Sequence, residues 1–436
     1  MVAATLEPQI SSAEAAPEKT EFAPQKPRTL AESGLSANQV EGLVLKYLLN
    51  CGVARGQKIA DQVHLPFPII TDLLRRLKAE QLVVYRSTSG LNDFDYELTP
   101  TGYERARRLF EQCNYFGGAP VSLNEYIESV NAQSPTRDRP SAAQLQEALK
   151  DLQVNREIFD QLGQAISSVG AVFLYGAPGN GKSSIAERLT KAFGPTIWIP
   201  RAVDVEGEFM TIFDPTMHEE LPDPDGPNAE RRFDTRWVRI KRPTVIAGGE
   251  LTLENLEITS RNSAGIVEAP LHLKSNCGTL VIDDFGRQRV SAKDLLNRWI
   301  VPLERKHDFL NTPSGKKVRV PFNQLIIFAT NLEPKELVDE AFLRRIPYKI
   351  EAIDPSEEEF RKLLSRLSAQ YEIEHIESTV DHLIQKHYRE AGRAFRYCHA
   401  RDLILQVKNH CVFLERKPEL SIEAIDAAVR NYFVTM

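Results

Sequence analysis

Residues 176–183 read GAPGNGKS, a loop of the form G-x-x-x-x-G-K-[ST] set between an apolar run, AVFLY at 171–175, and a segment of helical periodicity, SIAERLTKAF at 184–193. A polyphosphate needs several backbone N–H groups brought to it at close range. The loop must therefore curl with little side-chain bulk, which Gly176, Gly179 and Gly181 allow. Lys182 then reaches the β- and γ-phosphates, and the Ser183 hydroxyl can ligate Mg²⁺. A strand before the loop and a helix after it put the anion at a helix N-terminus. Gly176, Ala177, Pro178, Gly179, Asn180, Gly181, Lys182, Ser183 and Ser184 are thus the candidate nucleotide cradle, in an α/β fold.

Two further strands end in polar residues. TLVIDDF at 279–285 is a continuous apolar run closed by two carboxylates, the pattern of a strand buried in a parallel sheet, whose ligands sit at the C-terminal end. Asp283 is placed there to share the Mg²⁺ with Ser183. LIIFATN at 325–331 ends in Thr330 and Asn331, a polar pair suited to orienting an attacking water. Downstream, DEAFLRRIPYKI places Arg344 and Arg345 after a short helix, and RYCHARDLILQV places Arg401 near the start of another. Arginine suits both positions, because a permanent charge on a planar fork stabilises the spread charge of phosphoryl transfer.

The order of these elements resembles the AAA+ ATPase family over about residues 140–436. GAPGNGKS corresponds to Walker A, LVIDDF to Walker B, FATN to sensor 1, LRRI to the arginine-finger segment and HARDL to sensor 2. The resemblance implies a P-loop AAA+ parallel-sheet αβα core with a C-terminal helical lid, bound to ATP and Mg²⁺ and assembled as a homo-oligomeric ring, a hexamer. It implies that Asn331 is the sensor 1 residue, that Arg345 or its neighbour Arg344 is the finger given to the next subunit, and that Arg401 reports nucleotide to the lid. GIVEAPLHLKSNCGTLVIDDF at 265–285, together with a hairpin read from DFLNTPSGKKVRVPF at 308–322, is similar to the MoxR-like and enhancer-binding-activator branch.

Two departures from that pattern stand out. Asp284 occupies the place where the family usually has a glutamate that polarises the attacking water. Losing one methylene retracts the carboxylate by roughly 1.5 Å, so slow or conditional hydrolysis is an alternative reading. After the strand candidate TIWIP at 196–200, where translocating relatives carry a compact pore loop, this chain has a long polar segment. Within it, Phe209 and Met210 either face a pore or form a satellite core.

The chain of 436 residues has room for several domains. The composition of 1–35 predicts a disordered tail, and 36–116 shows three helices, two strands turning at Ser89 to Asn92 and a closing helix, a pattern that resembles winged-helix domains. Residues 117–140 read as a linker, 141–352 as the nucleotide-binding domain and 353–436 as the lid. Arg75, Arg76 and Lys78 lie on the presumed recognition helix, but Asp72, Asp93 and Asp95 nearly cancel them, and the net charge is −6. That balance favours docking of a protein client by this module, with DNA binding in a regulator of transcription, recombination or replication as the alternative. Five scattered cysteines give neither a disulfide framework nor a zinc site and fit a reducing cytoplasm, and no run is long enough for a membrane span. His375, His382 and His387 match no metal spacing and read as histidines on the lid surface.

Overall fold

The computed structural model describes residues 22–88, 93–137, 139–223, 226, 232–260, 266–337 and 340–433. At its centre is a five-stranded, all-parallel sheet of β5 (Ala171–Tyr175), β10 (Thr244–Ala247), β13 (Thr279–Ile282), β16 (Leu325–Ala329) and β17 (Tyr348–Glu351), in the order β10-β13-β16-β5-β17. The three inner strands β5, β13 and β16 are apolar because both their faces are covered, whereas the edge strands β10 and β17 expose Ile246, Lys349 and Glu351; the two-residue period sorts the side chains. Val172 and Leu174 pack beneath α6 (Ala142–Ala148), α7 (Arg156–Ser168) and α8 (Lys182–Leu189), while Ala171 and Phe173 meet Leu295, Leu296 and Trp299 of α10 (Ala292–Arg305) on the opposite face. β5, the first of these five strands along the chain, lies between the fourth and fifth, the kind of crossover point where open α/β sheets bind ligands. Short helices α11 (Pro334–Leu337) and α12 (Glu340–Leu343) lead to β17.

Beyond β17 a helical unit has its own core. It comprises α13 (Glu357–Gln370), α14 (Glu377–His382) continuing into a π-helical turn (Leu383–Arg389), α15 (Tyr397–Phe413) and α16 (Ile422–Tyr432), closed around Phe360, Leu364, Tyr388, Leu403 and Ile425. Ser356 and Glu359 start α13 with a reciprocal capping box, which satisfies backbone donors at the helix entrance.

TIWIP does not join the parallel sheet. As β6 (Thr196–Pro200) it pairs antiparallel with β9 (Trp237–Lys241), and the second strand of the central sheet is the four-residue β10 instead. Between α8 and β13 the chain builds an inserted β module, with β7 (Ala202–Val205), β8 (Glu208–Thr211), β11 (Thr259–Ser260) and β12 (Ile266–Glu268), followed by α9 (Leu271–Lys274). Its mixed sheet has the order β11-β12-β8-β7-β4, where β4 (Val121–Ser122) and the following α5 (Leu123–Ala132) come from the supposed linker. That segment is structured because Val121, Tyr126 and Val130 are buried in the module's core and a Ser122–Glu125 capping box starts the helix. Phe209 and Met210 are buried too, so the satellite-core reading holds for them. The hairpin β14 (His307–Asn311) and β15 (Lys317–Pro321) forms as expected and packs Leu310, Val318 and Val320 into the same core.

The N-terminal module contains α1 (Ala37–Cys51), β1 (Val53–Arg55), α2 (Gly56–Val63), α3 (Phe67–Ala79), β2 (Val83–Thr88), β3 (Phe94–Leu98) and α4 (Pro100–Gln112), with an antiparallel sheet in the order β1-β3-β2. The turn expected at Ser89 to Asn92 lies outside the described residues, as do residues 1–21. Residues 22–35, read from composition as tail, are placed: Phe22 stands edge-on to Trp237 at 5.7 Å and Gln25 bridges to Phe233. Arg236, 1% exposed, ties this segment down by donating to the carbonyls of Ser33 (2.7 Å) and Pro120 (3.1 Å) while paired with Asp234. Gln39 donates to Asp204 at 2.6 Å, and the Thr235 hydroxyl donates to the His64 carbonyl at 3.0 Å. These contacts join the N-terminal module to the inserted one, and a buried, multiply bonded guanidinium is costly to unpair.

Candidate nucleotide site

The loop between β5 and α8 curls because three glycines take left-handed backbone angles, Gly176 at φ +124°, Gly179 at +85° and Gly181 at +77°. A Cβ on Gly176 would come within 2.8 Å of the Ala352 carbonyl, and one on Gly179 would overlap Cys398 Sγ, whereas at Gly181 a Cβ would project into open space. The loop is thus pressed from behind by β17 and the lid and open on its inner side. That concavity, and a lysine aimed into it, fit a polyphosphate.

Lys182 Nζ donates to Asn331 Oδ1 at 2.6 Å and to the carbonyls of Gly176 (2.9 Å) and Ala177 (3.0 Å). Burial lowers its pKa, with Arg396 acting in the same direction and Asp283 and Asp284 opposing it. Ser183 Oγ donates to Asp283 Oδ2 at 2.8 Å, and Asn331 Nδ2 donates to Asp284 Oδ1 at 3.3 Å. The ends of β5, β13 and β16 thereby bring together Lys182, Ser183, Asp283, Asp284 and Asn331.

Asp284 sits at φ +48°. Short polar side chains tolerate the left-handed region better than longer ones, which gives a backbone reason for aspartate where the AAA+ resemblance leads one to expect glutamate. Gln288, which sequence reasoning passed over, clips this turn by donating to the carbonyls of Asp283 (2.8 Å) and Asp284 (3.2 Å) and accepting from Gly286 N (2.8 Å). Thr330 does not face the loop. It is buried, its hydroxyl donating to the Phe285 carbonyl at 2.8 Å and accepting from Leu332 N at 3.1 Å, so of the polar pair only Asn331 reaches the site.

The lid touches the loop through a residue that the motif comparison missed. Cys398 N donates to the Gly179 carbonyl at 2.9 Å, and Arg396, at the N-cap of α15, is ion-paired with Asp354. Asp354 Oδ1 also accepts from Asn180 Nδ2 at 2.7 Å, so Asn180, Asp354 and Arg396 form a chain from loop to lid. Arg401 is more than a turn further along α15, 59% exposed, with Nε donating to its neighbour Asp402 at 3.0 Å. The arginine beside the loop is therefore Arg396. Arg344 is exposed, and Arg345 Nε donates to Glu304 on α10 at 2.6 Å.

Residues 356–431, which run from the cap of α13 into α16, match a family described as a domain of unknown function, DUF8689. None of the curated proteins matches the chain. Among solved structures, the RuvB Holliday junction branch migration motor of Thermotoga maritima is 11% identical over 66% of this chain and 72% of its own, with a TM-score of 0.38. NtrX from Brucella abortus is 12% identical over 67% of this chain and 59% of its own, with a TM-score of 0.41. A chain from the complex of magnesium chelatase subunits BchI and BchD is 16% identical over 60% of this chain and 86% of its own, with a TM-score of 0.30. The chain's own strand order, the loop after the first of these strands and the helical unit beyond the last give a parallel-sheet αβα core with a C-terminal helical unit, the architecture that the AAA+ resemblance implied. No helix among the described residues is long and apolar enough to cross a membrane.

Proposed function

We propose that the chain is an ATPase that binds Mg-ATP at GAPGNGKS and works in a homo-oligomeric ring, a hexamer, to remodel a protein or protein complex recruited through its N-terminal module. The observation that carries this reading is the convergence of Lys182, Ser183, Asp283 and Asn331 by direct hydrogen bonds at the ends of three adjacent parallel strands. Lys182 would exchange Asn331 and two carbonyls for phosphate oxygens, and Asn331, once released, would hold the attacking water. Ser183 and Asp283 would hold the Mg²⁺, which supplies charge neutralisation on the phosphates. Arg396 would leave Asp354 for the nucleotide and so couple its arrival to the lid, the role that motif order had given to Arg401.

The hairpin at 307–321, lying between Walker B and sensor 1 in the chain, supports placement near the MoxR-like branch. The N-terminal module keeps its winged-helix reading from its element order. Four basic side chains on α3 and β2 favour protein over DNA as the docked partner, because each has a partner within the module: Arg75 with Asp72, Arg76 with Glu41 and Glu80, Arg86 with Glu97, and Lys78 over the Tyr85 ring.

In a ring, Arg345 would exchange Glu304 for the neighbour's nucleotide. Arg345→Ala and Lys182→Ala chains, each nearly inactive alone, are then expected to recover about a quarter of wild-type turnover when mixed one to one. That is the fraction of interfaces pairing an intact loop with an intact finger, half of a half. No recovery, under conditions where mixed oligomers are seen by native mass spectrometry, would count against a finger acting in trans.

Asp284 favours a second reading, an assembly switch that hydrolyses slowly. If Asp284 polarises the water, Asp284→Asn should lower turnover by about 100-fold and leave ATP affinity within about threefold. Unchanged turnover would remove Asp284 from the chemistry and support the switch.

A further inference from the structure

The lid carries a cluster of side chains that the nucleotide site does not use. His382 ends α14, and the π-helical turn at Leu383–Arg389 follows it directly. In an α-helix, residues five apart diverge by roughly 140°, whereas a π-turn bonds i to i+5 and brings them toward one face. His382 and His387 are brought together in this way, their rings edge to face with centroids 5.7 Å apart. Between them stands Asp426 of α16, whose Oδ1 lies 2.9 Å from His382 Nε2 and 2.6 Å from His387 Nε2, while its Oδ2 accepts from Lys386 Nζ at 2.9 Å. The three candidate donor atoms all lie within 4.8 Å of one another, and all three side chains are partly buried yet open to solvent.

We propose that His382, His387 and Asp426 form a binding site for a divalent transition metal of the zinc class, with three protein ligands and a fourth position for water. Two imidazoles and one carboxylate are the donor set of such ions, whereas Mg²⁺ and Ca²⁺ take oxygen, so this site is chemically distinct from Ser183 and Asp283. Tetrahedral N and O ligands at about 2.0–2.1 Å from zinc stand roughly 3.3 Å from one another. The two Nε2 to Oδ1 separations, 2.9 and 2.6 Å, are shorter than that, as befits the hydrogen bonds made there, so an ion enters by rotating the side chains apart. Both nitrogens aim at one carboxylate oxygen, and Lys386 occupies the other, fixing the carboxylate's orientation. A bound ion would pin the π-turn to α16. Tyr388 in that turn bonds His399 Nδ1 at 3.1 Å, one residue from Cys398, which touches the loop.

The test uses the full chain, stripped by chelator, dialysed into Mg²⁺ buffer and titrated with Co²⁺, with visible d–d absorption as the readout and Zn²⁺ as competitor. Wild type should bind one saturable equivalent that Zn²⁺ displaces. His387→Ala and Asp426→Asn should each weaken binding at least about tenfold with unaltered circular dichroism. Should Asp426→Asn fail to fold, the two partly exposed histidines supply the single variants. The five cysteines are common to every variant, so only the difference from wild type counts. The proposal is overturned if wild type binds neither Co²⁺ nor Zn²⁺, or if a His382→Ala, His387→Ala double variant binds them as wild type does.

Discussion

Replacing Lys182 with alanine is expected to lower ATP turnover by at least about 30-fold and to weaken ATP binding, while the fold survives. Its ammonium is buried at the one point where the loop, β16 and the β13 carboxylates meet, and its bonds go to Asn331 and two loop carbonyls. Removing one partner of a desolvated charge pair costs about 2–5 kcal/mol, which at 1.36 kcal/mol per decade is roughly 30- to 5,000-fold. Phosphate release and fluorescent-nucleotide titration measure the two effects, and melting temperature controls for folding. Turnover within tenfold of wild type would show that this loop is not where ATP is cleaved.

The second large effect is expected at Arg396. Arg396→Ala should reduce turnover by about tenfold to a hundredfold, and Arg401→Ala should change it by no more than about twofold. Arg396 caps α15 beside Gly179 and is 23% exposed, held by the same Asp354 that Asn180 binds. Arg401 is mostly in water and paired only locally, an arrangement worth little. Asp354→Asn provides a second arm. It removes the ion pair that holds Arg396 without removing Arg396, so nucleotide affinity should hold or rise while the bond from Asn180 to an amide oxygen can remain. The reverse ranking of the two arginine variants in steady-state assays would return the sensing role to Arg401.

The contrast between these arginines shows where reading along the chain stops. The strands at 171–175, 279–282 and 325–329 were legible because a strand covered on both faces must be apolar throughout, and their polar ends were legible because the C-terminal edge is where such sheets bind ligands. The hairpin at 307–321 was legible from its turn residues. Spacing alone cannot say which of two arginines five residues apart faces the loop, since that depends on how α15 docks. The stretch at 117–140 looked like a linker for its turn-forming residues, although Ser122 and Glu125 already carried a capping box and Tyr126 and Val130 a buried face. TIWIP was a strand, as its pattern says, but its pairing with β9 is non-local.

By itself, the order of residues determined the phosphate loop, the buried parallel strands with Asp283 and Asn331 at their ends, and the helical lid, because each rests on contacts within a few residues or on the short period of one element. Tertiary structure decided the rest: the inserted β module assembled from five separate stretches, the firm seating of the N-terminal module through Arg236, the position of Arg396 rather than Arg401 beside the loop, and the meeting of two histidines with Asp426. Those features join residues tens to hundreds of positions apart. Their energies come from burial and pairing across elements, which no local pattern records.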